Sequence, residues 1–87
     1  MKNNIDVNAY PNPASAQINL QFHLNSAAQM KVAVYDITGK SVSVFTEKCI
    51  AGTNIVPVNT HDLSTGLYTI IISGNGKSAA VKVNVTN

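Results

Sequence analysis

The side chains that could do chemistry are few, and they stand apart in the sequence. His23 and His61 lie far from each other, and no cysteine or further histidine stands near either at the spacing of a zinc site. The acidic residues are equally dispersed, whereas a calcium loop needs several oxygen ligands close together. The chain therefore offers no metal site among its histidines or its four acids, Asp6, Asp36, Glu47 and Asp62.

A nucleophile with its supporting groups is missing as well. Serines are frequent, but there is no Gly-x-Ser-x-Gly elbow and no His–Asp pair placed to serve one. Cys49 has no evident base partner, and as the sole cysteine it cannot form an internal disulfide. It is a buried small hydrophobe, a stray thiol or a link to another chain, and its neighbours suit a strand end or loop. We predict no catalytic residues, no cofactor and no enzymatic activity.

Composition favours a small, weakly charged β-domain. The 87 residues are 45% apolar and contain no tryptophan, so the core must consist of Val, Ile, Leu and Ala. Charged residues make up 11%, against roughly 25% in an average domain. The net charge of +2 comes from six scattered lysines, with no arginine for bidentate contacts to bases or phosphate. Nucleic acid is therefore not an expected partner.

We do not expect the first residues of the sequence to act as an export signal. Residues 1–6 lack the apolar segment of a signal peptide, and nowhere does the chain approach the run of about 18 apolar residues that a membrane span needs. We expect this sequence to be a piece of a larger precursor.

Apolar residues alternate with polar ones in short runs, with turn signals about every 8–12 residues, which is typical of a β-sandwich. The clearest alternation runs from Ile18 to Leu24. We predict an all-β, immunoglobulin-like or fibronectin-like sandwich of about seven antiparallel strands, near residues 5–9, 18–24, 30–34, 42–45, 55–58, 67–72 and 81–85.

The turn residues refine that prediction. Pro11 and Pro13 interrupt strand pairing, and Pro57 favours an edge strand, because proline lacks a backbone donor. The run 67–72 is apolar throughout, so we place it centrally, covered on both faces, and the 74–76 turn leads into a final strand at or near a sheet edge. The expected core includes Ile18, Leu20, Phe22, Val32, Val34, Leu67, Ile71, Val81 and Val83.

Three strings, in this order over most of the chain, resemble the C-terminal sorting domain of proteins exported by the type IX secretion system of Bacteroidetes-type bacteria. They are residues 10–15 (YPNPAS), 32–40 (VAVYDITGK) and 63–72 (LSTGLYTIII). The third string is also similar to the tyrosine corner of immunoglobulin-like sandwiches, in which a tyrosine hydroxyl bonds to backbone just upstream. There Gly66 would supply the backbone freedom for the corner.

The resemblance implies a single sorting domain over residues 1–87, with 1–7 forming the end of an upstream linker or the first strand. It implies a cargo protein in the same precursor, transit through the periplasm, and delivery to the cell surface or the medium. The partners would be the type IX translocation machinery and a sortase-like peptidase that usually cuts the linker upstream; a weak homodimer is a further expectation. The candidate recognition residues are Pro11, Asn12, Pro13, Tyr35, Asp36, Gly39, Lys40, Gly66, Tyr68, Lys82, Val83 and Val85.

Two other functions remain open from the residues alone. One is a carbohydrate-binding module of a secreted enzyme, and the other is a structural immunoglobulin-like or fibronectin-like spacer. Carbohydrate modules usually expose Trp or Tyr for stacking on sugars. Here the three tyrosines, Tyr10, Tyr35 and Tyr68, all lie within the strings just described.

Overall fold

The computed structural model describes residues 5–14 and 16–87. Over these residues every regular element is a β-strand, and no helix has the length and apolarity of a membrane span. Strand boundaries agree with the predicted alternation to within a few residues. The seven strands are β1 (Val7–Tyr10), β2 (Gln17–Leu24), β3 (Ala28–Tyr35), β4 (Ser41–Cys49), β5 (Gly52–Asn59), β6 (Gly66–Gly74) and β7 (Lys77–Val85).

The strands form two antiparallel sheets that face each other. One sheet has the order β1-β2-β5 and the other the order β4-β3-β6-β7. Each strand turns alternate side chains inward, because successive side chains of a strand point to opposite faces. This confirms the predicted immunoglobulin-like sandwich. Its inner faces meet in one core, made of Ala14, Ile18, Leu20, Phe22, Leu24, Met30, Val32, Val34, Cys49, Val56, Val58, Tyr68, Ile70, Ile72, Val83 and Val85.

Three of the predicted core residues are wrong or only partly right, and all three lie on β6 or β7. Leu67 is 54% exposed, and Ile71 is half-buried on the same outer face. The inward residues of β6 are its even-numbered ones, since Tyr68 turns its ring into the core. β6 does lie between β3 and β7, but among the described residues no layer covers its outer face. Val81 faces inward yet is only half-buried, because β7 is the outermost strand.

Both edge predictions are confirmed. Pro57 lies on β5, the last strand of its sheet, where its missing donor costs no ladder bond. β7 is likewise the last strand of the larger sheet. Its outer edge is only partly free, because the amide of Ile5 donates to the carbonyl of Ser78 (3.3 Å) near one end, and Ala14 pairs beside Val85 at the other.

One end of the sandwich, here called the turn end, connects consecutive strands by short local turns at residues 25–27, 50–51 and 75–76. Asn75 and Gly76 both have positive φ, 53° and 74°, as a two-residue hairpin with the twist of its strands requires. Just before them, a side chain on Gly74 would lie 2.6 Å from the carbonyl oxygen of Gln29 and 2.7 Å from the sulfur of Met30. Only glycine allows β6 to approach β3 this closely.

Cys49 ends β4 at the turn end and is 5% exposed. Its thiol donates weakly to the carbonyl of Glu47, with the sulfur 3.7 Å from the oxygen. Burial raises the pKa of the Cys49 thiol, and the charge of Glu47 raises it further. Of the three alternatives left open by the sequence, the structure favours the buried small hydrophobe.

Candidate functional site

The opposite end of the sandwich gathers the segments that carry the three strings. We call it the motif end and define it by residues 11–14, 35–40, 60–69 and 82–87. Antiparallel pairing explains the grouping: β3 ends where β6 begins, with Tyr35 opposite Thr69, and β7 ends beside them, with Val85 opposite Gly66. Segments far apart in the sequence are therefore neighbours here.

The proline segment, residues 11–14, is hydrogen-bonded to the end of β7 and the residue after it, residues 84–86. We call this contact the clasp. The amide of Ala14 donates to the carbonyl of Asn84 and the amide of Thr86 donates to the carbonyl of Ala14, both at 2.8 Å, in a parallel bridge. The side-chain oxygen of Asn12 accepts a third bond from the amide of Asn84, at 2.9 Å. The peptide bonds before Pro11 and Pro13 are both cis. The start and the end of the sandwich are thus joined directly.

A second connection ties Asn87 to the loop between β5 and β6. Its side-chain amide donates to the backbone carbonyls of Thr60 (2.9 Å), His61 (3.3 Å) and Leu63. The backbone amide of Asn87 donates to the hydroxyl of Thr65 (3.0 Å), and that hydroxyl donates to the backbone carbonyl of Asn87 (2.9 Å). Asn87 was absent from the sequence-based site because a lone polar residue after a strand carries no periodic signal.

The tyrosine corner predicted from the third string is present. The hydroxyl of Tyr68 donates to the backbone carbonyl of Ser64 at 2.6 Å, while its ring is buried opposite Val83. The explanation for Gly66 was wrong. Its φ is not positive, and an added side-chain carbon would meet no atom within 4 Å. The corner is held by the tyrosine hydroxyl bond and by strand pairing, so glycine is not required at that position.

The turn from β3 to β4 is organised by one carboxylate. Asp36 accepts three bonds at one oxygen, from the hydroxyl of Thr38 (2.6 Å), the amide of Thr38 (2.9 Å) and the amide of Lys40 (3.0 Å). The Thr38 hydroxyl bond, followed by the Lys40 amide, lowers the pKa of the Asp36 carboxyl from its ordinary value. Gly39 closes the turn with a φ of +87°, which favours glycine. Asp36 thus accepts local donors, a common role of aspartate in turns.

Beside this turn, the outer face of the larger sheet forms an open concavity of about 460 Å³. Apolar side chains dominate its lining, with Ile37 at 81% exposure on the turn side and Leu67 at 54% on β6. Lys82 of β7 contributes the positive charge. Ile37 and Leu67 were not among the predicted site residues, because strand periodicity does not distinguish an exposed apolar residue with a partner from one that is merely exposed.

All twelve predicted site residues fall at the motif end, in three different settings. Pro11, Asn12 and Pro13 lie on the exposed surface of the clasp. Val83 and Val85 are buried (1% and 0% exposed) and support β7 from within, so a partner at the surface cannot touch them in the folded domain. The remaining residues line or border the concavity: Tyr35, Asp36, Gly39, Lys40, Gly66, Tyr68 and Lys82.

Comparison with known proteins identifies the family and the fold. The family model described as "Secretion system C-terminal sorting domain" matches residues 8–86. The crystal structure of dimeric latent PorU from Porphyromonas gingivalis superposes with a TM-score of 0.71 at 19% sequence identity. That match covers 94% of the present chain and 9% of PorU, so the chain spans a small fraction of its length. At this identity, the likeness shows a shared fold.

Proposed function

The chain belongs to the family of secretion system C-terminal sorting domains, and from that premise we propose that the type IX machinery reads the motif end of the folded sandwich. A domain of this family directs the protein that carries it across the outer membrane, to the cell surface or the medium. It does so as part of a cargo precursor that interacts with the type IX machinery. The proposal concerns where on this domain the address lies and in what state it is read.

The clasp is the observation that carries the proposal. Residues 11–14 and 84–86 stand at opposite ends of the sequence, yet three hydrogen bonds join them. An unfolded chain would present the two segments separately, at no fixed distance. A receptor that needs both would therefore accept only a folded domain, and this supports an address that is conformational rather than a linear tail.

The same geometry suggests how the domain is attached to its cargo. We take residues 1–87 as one sorting domain, with 1–7 as the end of the linker or the start of the first strand. Ile5 already bonds to β7, so a sortase-like peptidase would cut upstream of the described residues. The domain would pass through the periplasm folded. It would perform no chemistry itself, and four polar side chains at the motif end are engaged in structural bonds: Asn12, Asp36, Tyr68 and Asn87.

A reporter fusion tests this function. We expect the chain, fused to the C-terminus of a periplasmic reporter, to deliver it to the surface of a type IX-competent strain and to leave it in the periplasm of a translocon mutant. Equal delivery in both strains, or in neither, would contradict the proposal. A fusion carrying Phe22→Ala, which removes a core side chain, should fail even though every surface residue of the motif end is unchanged.

A further inference from the structure

The concavity at the motif end has the properties of a contact surface. Leu67 and Ile37 are large apolar side chains that are exposed to solvent on its rim. On the surface of a soluble protein, exposed apolar residues are usually scattered singly. Its volume of about 460 Å³ lies in the range of about 300–1,000 Å³ typical of ligand sites, which is ample for a large apolar side chain and its neighbours. Ile71 forms its floor on the outer face of β6.

The two charges in the concavity are separated: Lys82 lies on β7 and Asp36 in the turn after β3, with β6 between those strands. The side chain of Lys82 makes no ion pair or hydrogen bond with any residue that the structure describes. The only carboxylate in the lining belongs to Asp36. It accepts hydrogen bonds from the hydroxyl of Thr38 and the backbone amide of Lys40 within its own turn. A free cation beside exposed apolar surface is complementary to an apolar group that carries a carboxylate next to it.

We propose that this concavity binds a segment of a partner protein that presents one large apolar side chain next to an aspartate or glutamate. The apolar side chain lies against Leu67 and Ile71, and the carboxylate pairs with Lys82. This inference rests on the proposed function, because the partner is a component that the exported precursor meets. It adds the chemistry of that partner and the residues of this chain that select it.

The arrangement explains the position of Lys82 in terms of specificity. An exposed lysine–carboxylate pair adds little affinity, but a wrong charge opposite a lysine is unfavourable. The apolar contact would supply most of the binding, and Lys82 would discriminate among partner segments.

The first test separates the apolar contact from general surface apolarity. Leu67→Ser should reduce surface delivery of the reporter by about ten-fold, the size expected for losing partial burial of a leucine. Ile55→Ser is the matched control, because Ile55 is 56% exposed on β5 of the other sheet and lies outside the concavity. It should leave delivery unchanged. Leu67→Met should be delivered like the parent, and all three variants should have the melting temperature of the parent chain.

The second test addresses the charge, using synthetic peptides and NMR of the isotope-labelled chain. One peptide carries a leucine flanked by glutamates, the second a leucine flanked by lysines, and the third a serine flanked by glutamates. The first peptide alone should shift the amide signals of Leu67, Ile71 and Lys82, and Lys82→Gln should weaken that response. Equal shifts with the lysine peptide, or no shifts with the first, would overturn the inference.

The two tests keep the inference separate from the proposed function. If the parent fusion is delivered and Leu67→Ser is delivered equally well, the concavity is not the contact, while the proposed function stands. If the parent fusion is not delivered at all, the proposed function fails. The peptide titration then decides by itself whether the concavity binds acidic, apolar segments.

Discussion

The two ends of this sandwich are built by different means. The turn end closes through short-range interactions, such as Asn54 bonding to both backbone groups of Ile50, four residues away. The motif end has local bonds as well, at Asp36 and Tyr68, but it adds long-range ones: Asn12 to Asn84 spans 72 positions, and Asn87 bonds across 22 to 27. A turn can form by itself, whereas the long-range bonds exist only after the whole chain has folded. The long-range bonds of the motif end are therefore present only in the folded domain.

The core beneath both ends gives the largest expected effect. Phe22 is 3% exposed on β2, and Phe22→Ala should lower the free energy of unfolding by about 3–5 kcal/mol through lost burial and a cavity. In a domain of this size that is enough to abolish folding at physiological temperature, which urea denaturation would measure. A loss below about 1 kcal/mol would mean that the side chain does not lie where the core requires it.

The two asparagine anchors provide a matched comparison of the ends. Asn54→Ala removes three local bonds and Asn87→Ala removes three side-chain bonds across the motif end. Each should cost about 1–3 kcal/mol, because backbone groups lose their partners. Hydrogen exchange should speed up near residue 52 in the first variant and around Thr86 in the second. At equal stability, only Asn87→Ala should reduce surface delivery; equal reductions would remove the distinction between the ends.

Two glycines test the same contrast through packing. Gly74→Ala at the turn end should destabilise the domain by about 1–3 kcal/mol, since the new methyl group would press on the backbone and sulfur of the neighbouring strand. Gly66→Ala at the motif end should change stability by less than about 0.5 kcal/mol, because the position is open and its φ is not positive. A reversed order of melting temperatures would contradict this assignment.

The smallest expected effect concerns the pH dependence of the Asp36 turn. The pKa of this carboxyl is lower in the folded chain than its ordinary value. The ionised carboxylate therefore stabilises the fold at pH values above the ordinary pKa, and this stabilisation is lost as the pH falls through the lowered pKa. The melting difference between the parent chain and Asp36→Asn should therefore be complete at neutral pH and disappear in acid. Thr38→Ala, which removes the strongest donor, should shift that loss to higher pH. A difference that persists unchanged into acid would argue against this role.

The sequence predicted what is local and periodic. The strands, the Asn75–Gly76 hairpin and the corner at Tyr68 all follow from alternation or turn chemistry over a few residues. Assigning β6 to a strand covered on both faces failed, because a continuous apolar run does not reveal whether a second layer exists above it. The outer face of β6 stays exposed, and its apolar residues line the candidate site instead.

The bonds of the motif end could not be predicted in the same way. Nothing in the local sequence around Asn87 indicates that its amide reaches three carbonyls of a distant loop. Likewise, Asn12 was singled out only as the middle of a family motif, and its bond to the amide of Asn84 became evident from the fold. Such contacts depend on the three-dimensional register of strands, which sequence patterns constrain only weakly.

The most direct test of the account is a charge reversal at Lys82, with Lys31 as its control. Both lysines are exposed on the outer face of the larger sheet, but Lys82 lies at the motif end and Lys31, opposite Ser73, lies nearer the turn end. Substituting either exposed lysine by glutamate should change stability by less than about 0.5 kcal/mol. We predict that Lys82→Glu leaves the reporter in the periplasm while Lys31→Glu delivers it normally, both with parental melting. Normal delivery by Lys82→Glu would contradict the claim that the machinery reads the outer face of β7 at this end, and recognition would then lie at Pro11–Pro13 or the Gly39 turn.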